Sequence, residues 1–169
     1  MVNQKVTEVV LGLGSNLNDP LRQIRVAIEA IQQIPQTVMR QHSGFYQTAP
    51  LGAEDQPDYV NAVVHIETSL AAEDLLMHTQ CIENQQGRQR GSVRWQSRTL
   101  DIDILLFGKQ IIETPGLQVP HPGLMQRDFV LVPLAEIVPD WQLPNKLTVR
   151  QALSQCKIRG LMLLQETDV

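Results

Sequence analysis

The chain has 169 residues, 43% hydrophobic and 19% charged, with a formal net charge of -4; a chain of this size buries roughly 70% of its unfolded surface, so one domain over residues 1–169 is expected. The acidic balance argues against a general nucleic-acid binder, and Cys81 and Cys156 form neither a C-x-x-C pair nor a disulfide framework. No apolar run is long enough to span a membrane and the N-terminus lacks a signal-peptide core, so a cytoplasmic protein is expected.

Residues 7–13 (TEVVLGL) read as a buried strand, broken by Gly14-Ser15-Asn16-Leu17-Asn18. Gly12 and Gly14 invite comparison with a dinucleotide loop, but Leu17 stands where the third glycine belongs and no acidic residue ends a second parallel strand. Tight turning and strand–helix packing are expected of these glycines instead. Asp19 then Pro20 form an N-cap and first helical residue. Leu21, Ile24, Ile28 and Ile31 recur at helical spacing, which predicts an amphipathic helix over 20–34, ended before Pro35. Residues 38–48 look extended, a loop runs from Ala49-Pro50-Leu51-Gly52 to Pro57, and 59–68 (YVNAVVHIET) read as a strand.

A second helix starts near Ser69 or Leu70, with Glu73 and Asp74 favouring its dipole. It turns Leu75, Leu76, Thr79 and Ile82 to the core, buries the Cys81 thiol and stops at Gly87, a natural C-terminal cap. After an arginine-rich loop, residues 98–107 (RTLDIDILLF) read as a strand that turns Asp101 and Asp103 one way and Leu100, Ile102, Ile104 and Leu106 the other. A hairpin around Gly108-Lys109, a loop holding Pro120-His121-Pro122, apolar residues 129–137 in a helix ending before Pro139, and a weaker helix over 148–156 complete the chain. The leading order strand, helix, strand, strand, helix, strand is the split βαβ, ferredoxin-like α+β pattern. It implies an antiparallel sheet with its helices on one main face and extra C-terminal strands and helices.

Chemistry concentrates around the aspartates. Two carboxylates roughly 7 Å apart along one strand face need a counter-ion, and hard oxygen ligands favour Mg²⁺ shared with phosphate oxygens. Four of the fourteen basic residues (Arg88, Arg90, Arg94, Arg98) fall in one short segment just upstream. With Gly87, Gly91 and Trp95 among them, residues 87–98 read as a deformable cationic lid over polyphosphate. A D-x-D pair alone is weak, as is a charge run alone; their adjacency carries the reading. Tyr59 and Asn61 share one strand face, where a planar heterocycle could stack on the ring and be hydrogen-bonded by the amide. Gln80 and Glu83 fall on one flank of the second helix, either as an exposed polar face or as part of a site. His121, between two prolines, and Arg127 are further candidate phosphate contacts.

These segments together resemble the 6-hydroxymethyl-7,8-dihydropterin pyrophosphokinases of folate biosynthesis. The likeness runs from Gly12-Leu13-Gly14-Ser15-Asn16 through Pro50-Leu51-Gly52, Gln56-Pro57-Asp58-Tyr59-Val60-Asn61 and Arg98-Thr99-Leu100-Asp101-Ile102-Asp103 to Val119-Pro120-His121-Pro122. It implies transfer of the terminal pyrophosphoryl group of ATP to the pterin hydroxymethyl oxygen, with release of AMP. By that resemblance Asp101 and Asp103 hold two Mg²⁺ ions, and Arg98 and Arg88 join them in catalysis. Tyr59 and Phe129 sandwich the pterin, Asn61, Thr48 and Leu51 read its edge, and Trp95 seals the closed loop over it. Gln80, Glu83, Arg90, Arg98, Ile104, His121 and Arg127 are implied on the ATP side. The implied partners are ATP and the pterin, with no nucleic acid, no membrane and a monomeric state. Gln96-Ser97, where the family commonly has Gly-Pro, and Ala49, where Pro is common, bear on loop stiffness and closure. Two readings of other classes remain at this point: a non-catalytic ATP-sensing module on the same scaffold, and an RNA-binding sheet, which the acidic balance disfavours.

Overall fold

A computed structural model of the chain describes residues 5–52, 55–88 and 98–165. Strand β1 (Thr7–Ser15) leads into helix α1 (Pro20–Ile31), followed by β2 (Thr37–His42), β3 (Tyr46–Thr48), β4 (Tyr59–Thr68) and α2 (Ala72–Gln85). Then come β5 (Asp101–Phe107), β6 (Ile112–Thr114), β7 (Leu117–Val119), α3 (Asp128–Ile137), α4 (Val149–Gln155) and β8 (Met162–Leu163). The main sheet is antiparallel, ordered β5-β1-β4-β3-β8, with β2 also pairing β4. Taking β2 and β3 as one interrupted strand gives the ferredoxin-like arrangement.

Each helix forms for a local reason. The Asp19 carboxylate accepts from the Arg22 amide and Pro20 opens α1, as expected. The helix ends at Ile31 and not at residue 34, because Gln33 and Ile34 donate to carbonyls three residues back, tightening the last turn. Helix α2 closes in a Schellman turn, with Gly87 at φ +81, its amide on the Asn84 carbonyl and the Arg88 amide on the Glu83 carbonyl. Thr148 and Gln151 make a reciprocal capping box at α4. The extended stretch over 38–48 breaks at Ser43, whose hydroxyl accepts from the Val63 amide in place of a ladder carbonyl.

The sheet is covered on both faces. On one, α1 and α2 pack Ile24, Ala27, Ile28, Ile31, Leu75 and Ile82 against Val9, Leu11, Leu13, Val64, Ile66, Ile102 and Ile104. On the other, α3 and α4 pack Val130, Leu131, Leu134, Val149 and Ala152 against Val10, Val63, Leu105 and Leu106. The first two helices thus share a face, and the C-terminal pair occupies the face behind it.

Four local expectations are corrected. Leu106 does not share a face with Ile102 and Ile104: Val10 pairs with Leu106 and Leu11 with Ile104, so Leu105 is an extra residue, and this β-bulge reverses the alternation beyond it. No hairpin forms around Gly108-Lys109; β6 leaves β5 and pairs with β7 in a separate two-stranded sheet. Gly12 and Gly14 lie inside β1, neither in a tight turn nor under a helix. The Cys81 thiol is on the solvent side of α2 and exposed. No helix among the described residues is long and apolar enough to cross a membrane.

Leu131 is fully buried between α3 and the sheet. Leu131→Ala is expected to cost about 2–5 kcal/mol, read as a lower urea midpoint with an unchanged slope. Val38→Ala, at a largely exposed position, should stay within about 0.5 kcal/mol.

Candidate active site

The site grows out of β1. Its residues Gly12 and Gly14 pair with Asp103 and Asp101 of β5 on one side, and with Val63 and Asn61 of β4 on the other. Without side chains there, the centre of the sheet is a bare floor. A Cβ on Gly12 would stand 3.1 Å from the Leu105 side chain and one on Gly14 3.2 Å from Asn61 Oδ1. The resulting cleft of about 500 Å³ is lined by both glycines, Thr48, Leu51, Gln56, Tyr59, Asn61, Arg98, Asp101, Asp103, His121, Arg127 and Phe129.

The β4 side of the cleft is aromatic and amide in character. Tyr59 and Asn61 share a face of β4, and the Asn61 amide nitrogen donates to the Thr48 hydroxyl at 2.9 Å, leaving the group oriented across the floor. Phe129 enters from the first turn of α3, with the Arg127 guanidinium 5.8 Å from its ring centre. Burial raises the Tyr59 hydroxyl pKa, against the nearby Arg98 charge.

The β5 side is ionic. Arg88, delivered by the Schellman turn and itself outside the cleft lining, reaches Glu83 Oε1 at 2.5 Å and Asp101 Oδ1 at 2.8 Å; Arg98, in the lining, reaches Asp101 Oδ2 at 2.5 Å. Burial works against the Arg98 charge, but Asp101 more than offsets it and the pKa is raised. Glu83 is buried, its Oε1 accepting from the Ile102 amide at 2.7 Å, and burial pushes its pKa up. Asp103 has no guanidinium at bonding distance among the described residues. Its recessed position on the cleft floor, then the Asp101 and Glu83 charges, push its pKa up to about 7. His121 is fixed by its amide on the Leu105 carbonyl and by Nδ1 accepting from the Gly123 amide, which leaves the Nε2 proton directed to Asp103 Oδ2 at 3.5 Å. Burial, then Arg127, lowers the His121 pKa, so the ring is a neutral donor and not a cation at neutral pH.

Most of the sequence-derived residues therefore converge on one cleft. Gln80 and Glu83 stay on α2 outside its lining, and Glu83 is committed to Arg88 and the β5 backbone. The Ile104 side chain points to the opposite face and joins the α1–α2 core. Arg90 and Trp95, like Arg94 and Gln96-Ser97, lie outside the described residues. Asn16 and Gln56 were not singled out for the site. Asn16 is buried, its side-chain oxygen accepting from the Arg98 amide at 2.8 Å and its nitrogen donating to the Pro57 carbonyl at 3.2 Å. An asparagine following a strand reads as a turn residue, so no local pattern marks this role.

A ferredoxin-like core carrying paired carboxylates and arginines beside Tyr59 and Phe129 suits the class of nucleotide-dependent phosphotransferases, and the comparisons with known proteins decide for it. The family model described as 7,8-dihydro-6-hydroxymethylpterin-pyrophosphokinase matches residues 10–139. A Haemophilus influenzae 2-amino-4-hydroxy-6-hydroxymethyldihydropteridine pyrophosphokinase is 49% identical over 145 residues, covering 86% of this chain and 90% of the relative. The Pseudomonas aeruginosa protein of the same name is 44% identical over 156 residues, covering 92% and 96%. Among solved structures, a Plasmodium falciparum HPPK-DHPS crystal structure with pteroate superposes with a TM-score of 0.71 at 15% identity, over 89% of this chain. The chain spans 42% of that protein, and the likeness concerns the fold. The chain belongs to the 7,8-dihydro-6-hydroxymethylpterin-pyrophosphokinase family.

The raised Asp103 pKa has a consequence for stability. A carboxyl that binds its proton more tightly folded than unfolded contributes stability that is complete below about pH 4 and is lost as pH rises through about 7. In chelator, Asp103→Asn should therefore raise the melting temperature most above pH 7, with the gain vanishing towards pH 4. Thermal scans across that range check it; a gain that grows on acidification would contradict the assignment.

Proposed function

We propose that this chain transfers the pyrophosphoryl group of ATP to the hydroxymethyl oxygen of 6-hydroxymethyl-7,8-dihydropterin in folate biosynthesis, in the cleft over Gly12 and Gly14. The observation that carries this reading is one cleft in which Asp101 and Asp103, with Arg98, flank Gly12 and Gly14 on the β5 side and Tyr59 and Asn61 line the β4 side, with Phe129 also in the lining. A substrate with a flat heterocycle and one short hydroxymethyl arm suits that division. The ring would lie between Tyr59 and Phe129, its edge read by Asn61, Thr48 and Leu51, and the arm would reach the carboxylate side.

The reaction joins the hydroxymethyl oxygen to the β-phosphorus and breaks the bond to the α-phosphate oxygen, releasing AMP. In-line displacement of this kind needs positioning and charge stabilisation more than covalent help. Arg98, Arg88 and Arg127 supply charge-assisted hydrogen bonds to the phosphates, and His121 adds a neutral Nε2–H donor. Arg90 and Trp95 are proposed to complete the phosphate contacts and the seal. Gln80 is proposed near the nucleoside, with Glu83 acting through Arg88 and Ile104 through the strand that carries the aspartates. Asp101 and Asp103 suit Mg²⁺: hard oxygen donors on one face, one of them with its pKa pushed up to about 7 by its recessed position and then by neighbouring negative charge. When bound, Mg²⁺ would neutralise charge on the triphosphate and orient it. The protein is proposed to act as a cytoplasmic monomer, with residues 1–169 as one domain.

Incubation with Mg²⁺, ATP and the reduced hydroxymethylpterin should yield AMP, and its absence would reject the assignment. Asp101→Ala and Asp103→Ala should each lower kcat at least about a hundredfold with the fold intact by circular dichroism. Gly14→Ala places a methyl group against Asn61 and Tyr59. It should raise the pterin KM about tenfold while leaving the ATP KM within about twofold, both from initial rates.

A further inference from the structure

Asn16 joins two segments of the cleft that are separated in the sequence, Gln56-Pro57 and the stretch at Arg98. Its backbone amide donates to the Arg98 carbonyl at 3.1 Å, and its side-chain oxygen accepts from the Arg98 amide at 2.8 Å, so residue 98 is gripped on both sides. Its side-chain nitrogen donates to the Pro57 carbonyl at 3.2 Å and lies 3.5 Å from Gln56 Oε1. Arg98 is the arginine on Asp101, whereas Gln56 and Pro57 lead directly into Tyr59 and Asn61. The group is 1% exposed. A carboxamide suits this place because one arm must accept and the other donate.

We infer that Asn16 is a positioning residue that couples the pterin-binding segment to Arg98, so that seating the heterocycle fixes the guanidinium at the phosphate side. The inference rests on the proposed pyrophosphokinase reading, with Asn16 itself touching no substrate. The physical route is short. The Asn16 end of each hydrogen bond is buried, so releasing one leaves the amide uncompensated and the segment it held free to shift. A displacement of about 1 Å at a charge-stabilising group is enough to cost a large factor in rate.

The two arms of the amide can be separated. Asn16→Asp keeps an acceptor for the Arg98 amide but sets an oxygen against the Pro57 carbonyl; it should raise the pterin KM about tenfold and also lower kcat about three- to tenfold, because the seated heterocycle no longer fixes Arg98. Asn16→Ala loses both arms and should lower kcat about ten- to a hundredfold, but less than about threefold when made in an Arg98→Ala background, because both changes act on one group. Loss of the same factor in both backgrounds, or an unchanged pterin KM for Asn16→Asp, overturns the coupling. A merely structural role would lower the melting temperature and the active fraction without either signature. Should the variants not fold, hydrogen exchange in the unmodified protein decides. A non-reactive pterin analogue, added without nucleotide, should slow exchange of the Arg98 amide several-fold; an unchanged rate overturns the proposal. AMP formation by the unmodified protein tests the underlying reading separately.

Discussion

The site depends on negative charge placed beside a strand that has no side chains to fill the space. Asp101 is held by Arg88 and Arg98, and Glu83 by Arg88. Asp103, one pleat further along, has among the described residues no ion-pair partner nearer than the His121 Nε2 at 3.5 Å, and its pKa is pushed up to about 7. Because that displacement comes from recessed position and from neighbouring carboxylates, added positive charge at the cleft relieves it. A metal ion carried by a triphosphate, as proposed for this site, would supply such charge locally, so that the arrangement that penalises the free protein would favour its binding.

The glycines set how close anything can come to those carboxylates. In an antiparallel sheet each residue on β1 has a cross-strand neighbour on either side, so a side chain at Gly12 or Gly14 would stand between β4 and β5 on the cleft face. Their removal opens a passage from Asn61 to Asp101 across a single strand. Glycine weakens a strand interior, but here the central strand is secured by pairing with β4 along its whole length, with β5 from Val9 to Gly14, and by Val9, Leu11 and Leu13 in the core behind it.

Much of this was legible in the sequence, and what escaped has identifiable causes. The alternation in residues 98–107 placed Asp101 and Asp103 on one face because period 2 is fixed by the pleat. The same rule misplaced Leu106, since nothing local announces that Leu105 has no partner on β1. Apolar periodicity located α1 and α2, and Gly87 marked the stop that brings Arg88 to Glu83. The glycines in β1 were misread as turn and packing residues because an absent side chain leaves no mark of what lies beside it. Asn16 and Glu83 depend on partners 82 and 19 residues away, distances over which a single sequence carries no pairing signal.

The bulge at Leu105 also divides the labour of the second sheet face. On one side of it, Asp101 and Asp103 face the cleft; on the other, Leu105 and Leu106 both turn toward α3 and α4, two successive residues on one face where a regular strand offers one. Apolar density is thereby concentrated immediately beside the carboxylates. Phe129 and Val130, in the first turn of α3, stand at that boundary and line the cleft, while Leu131 and Leu134 continue into the core. Helix α3 is consequently clamped by packing along its length and presents only its first turn to the site. The α1–α2 face, by contrast, is a continuous apolar layer. It reaches the chemistry only where α2 ends, at Glu83 and the turn that carries Arg88. A rigid core on both sides of the sheet thus fixes the positions of the aspartates, the aromatic wall and one arginine, while Arg98 depends on its contacts with Asn16 and Asp101 for its place.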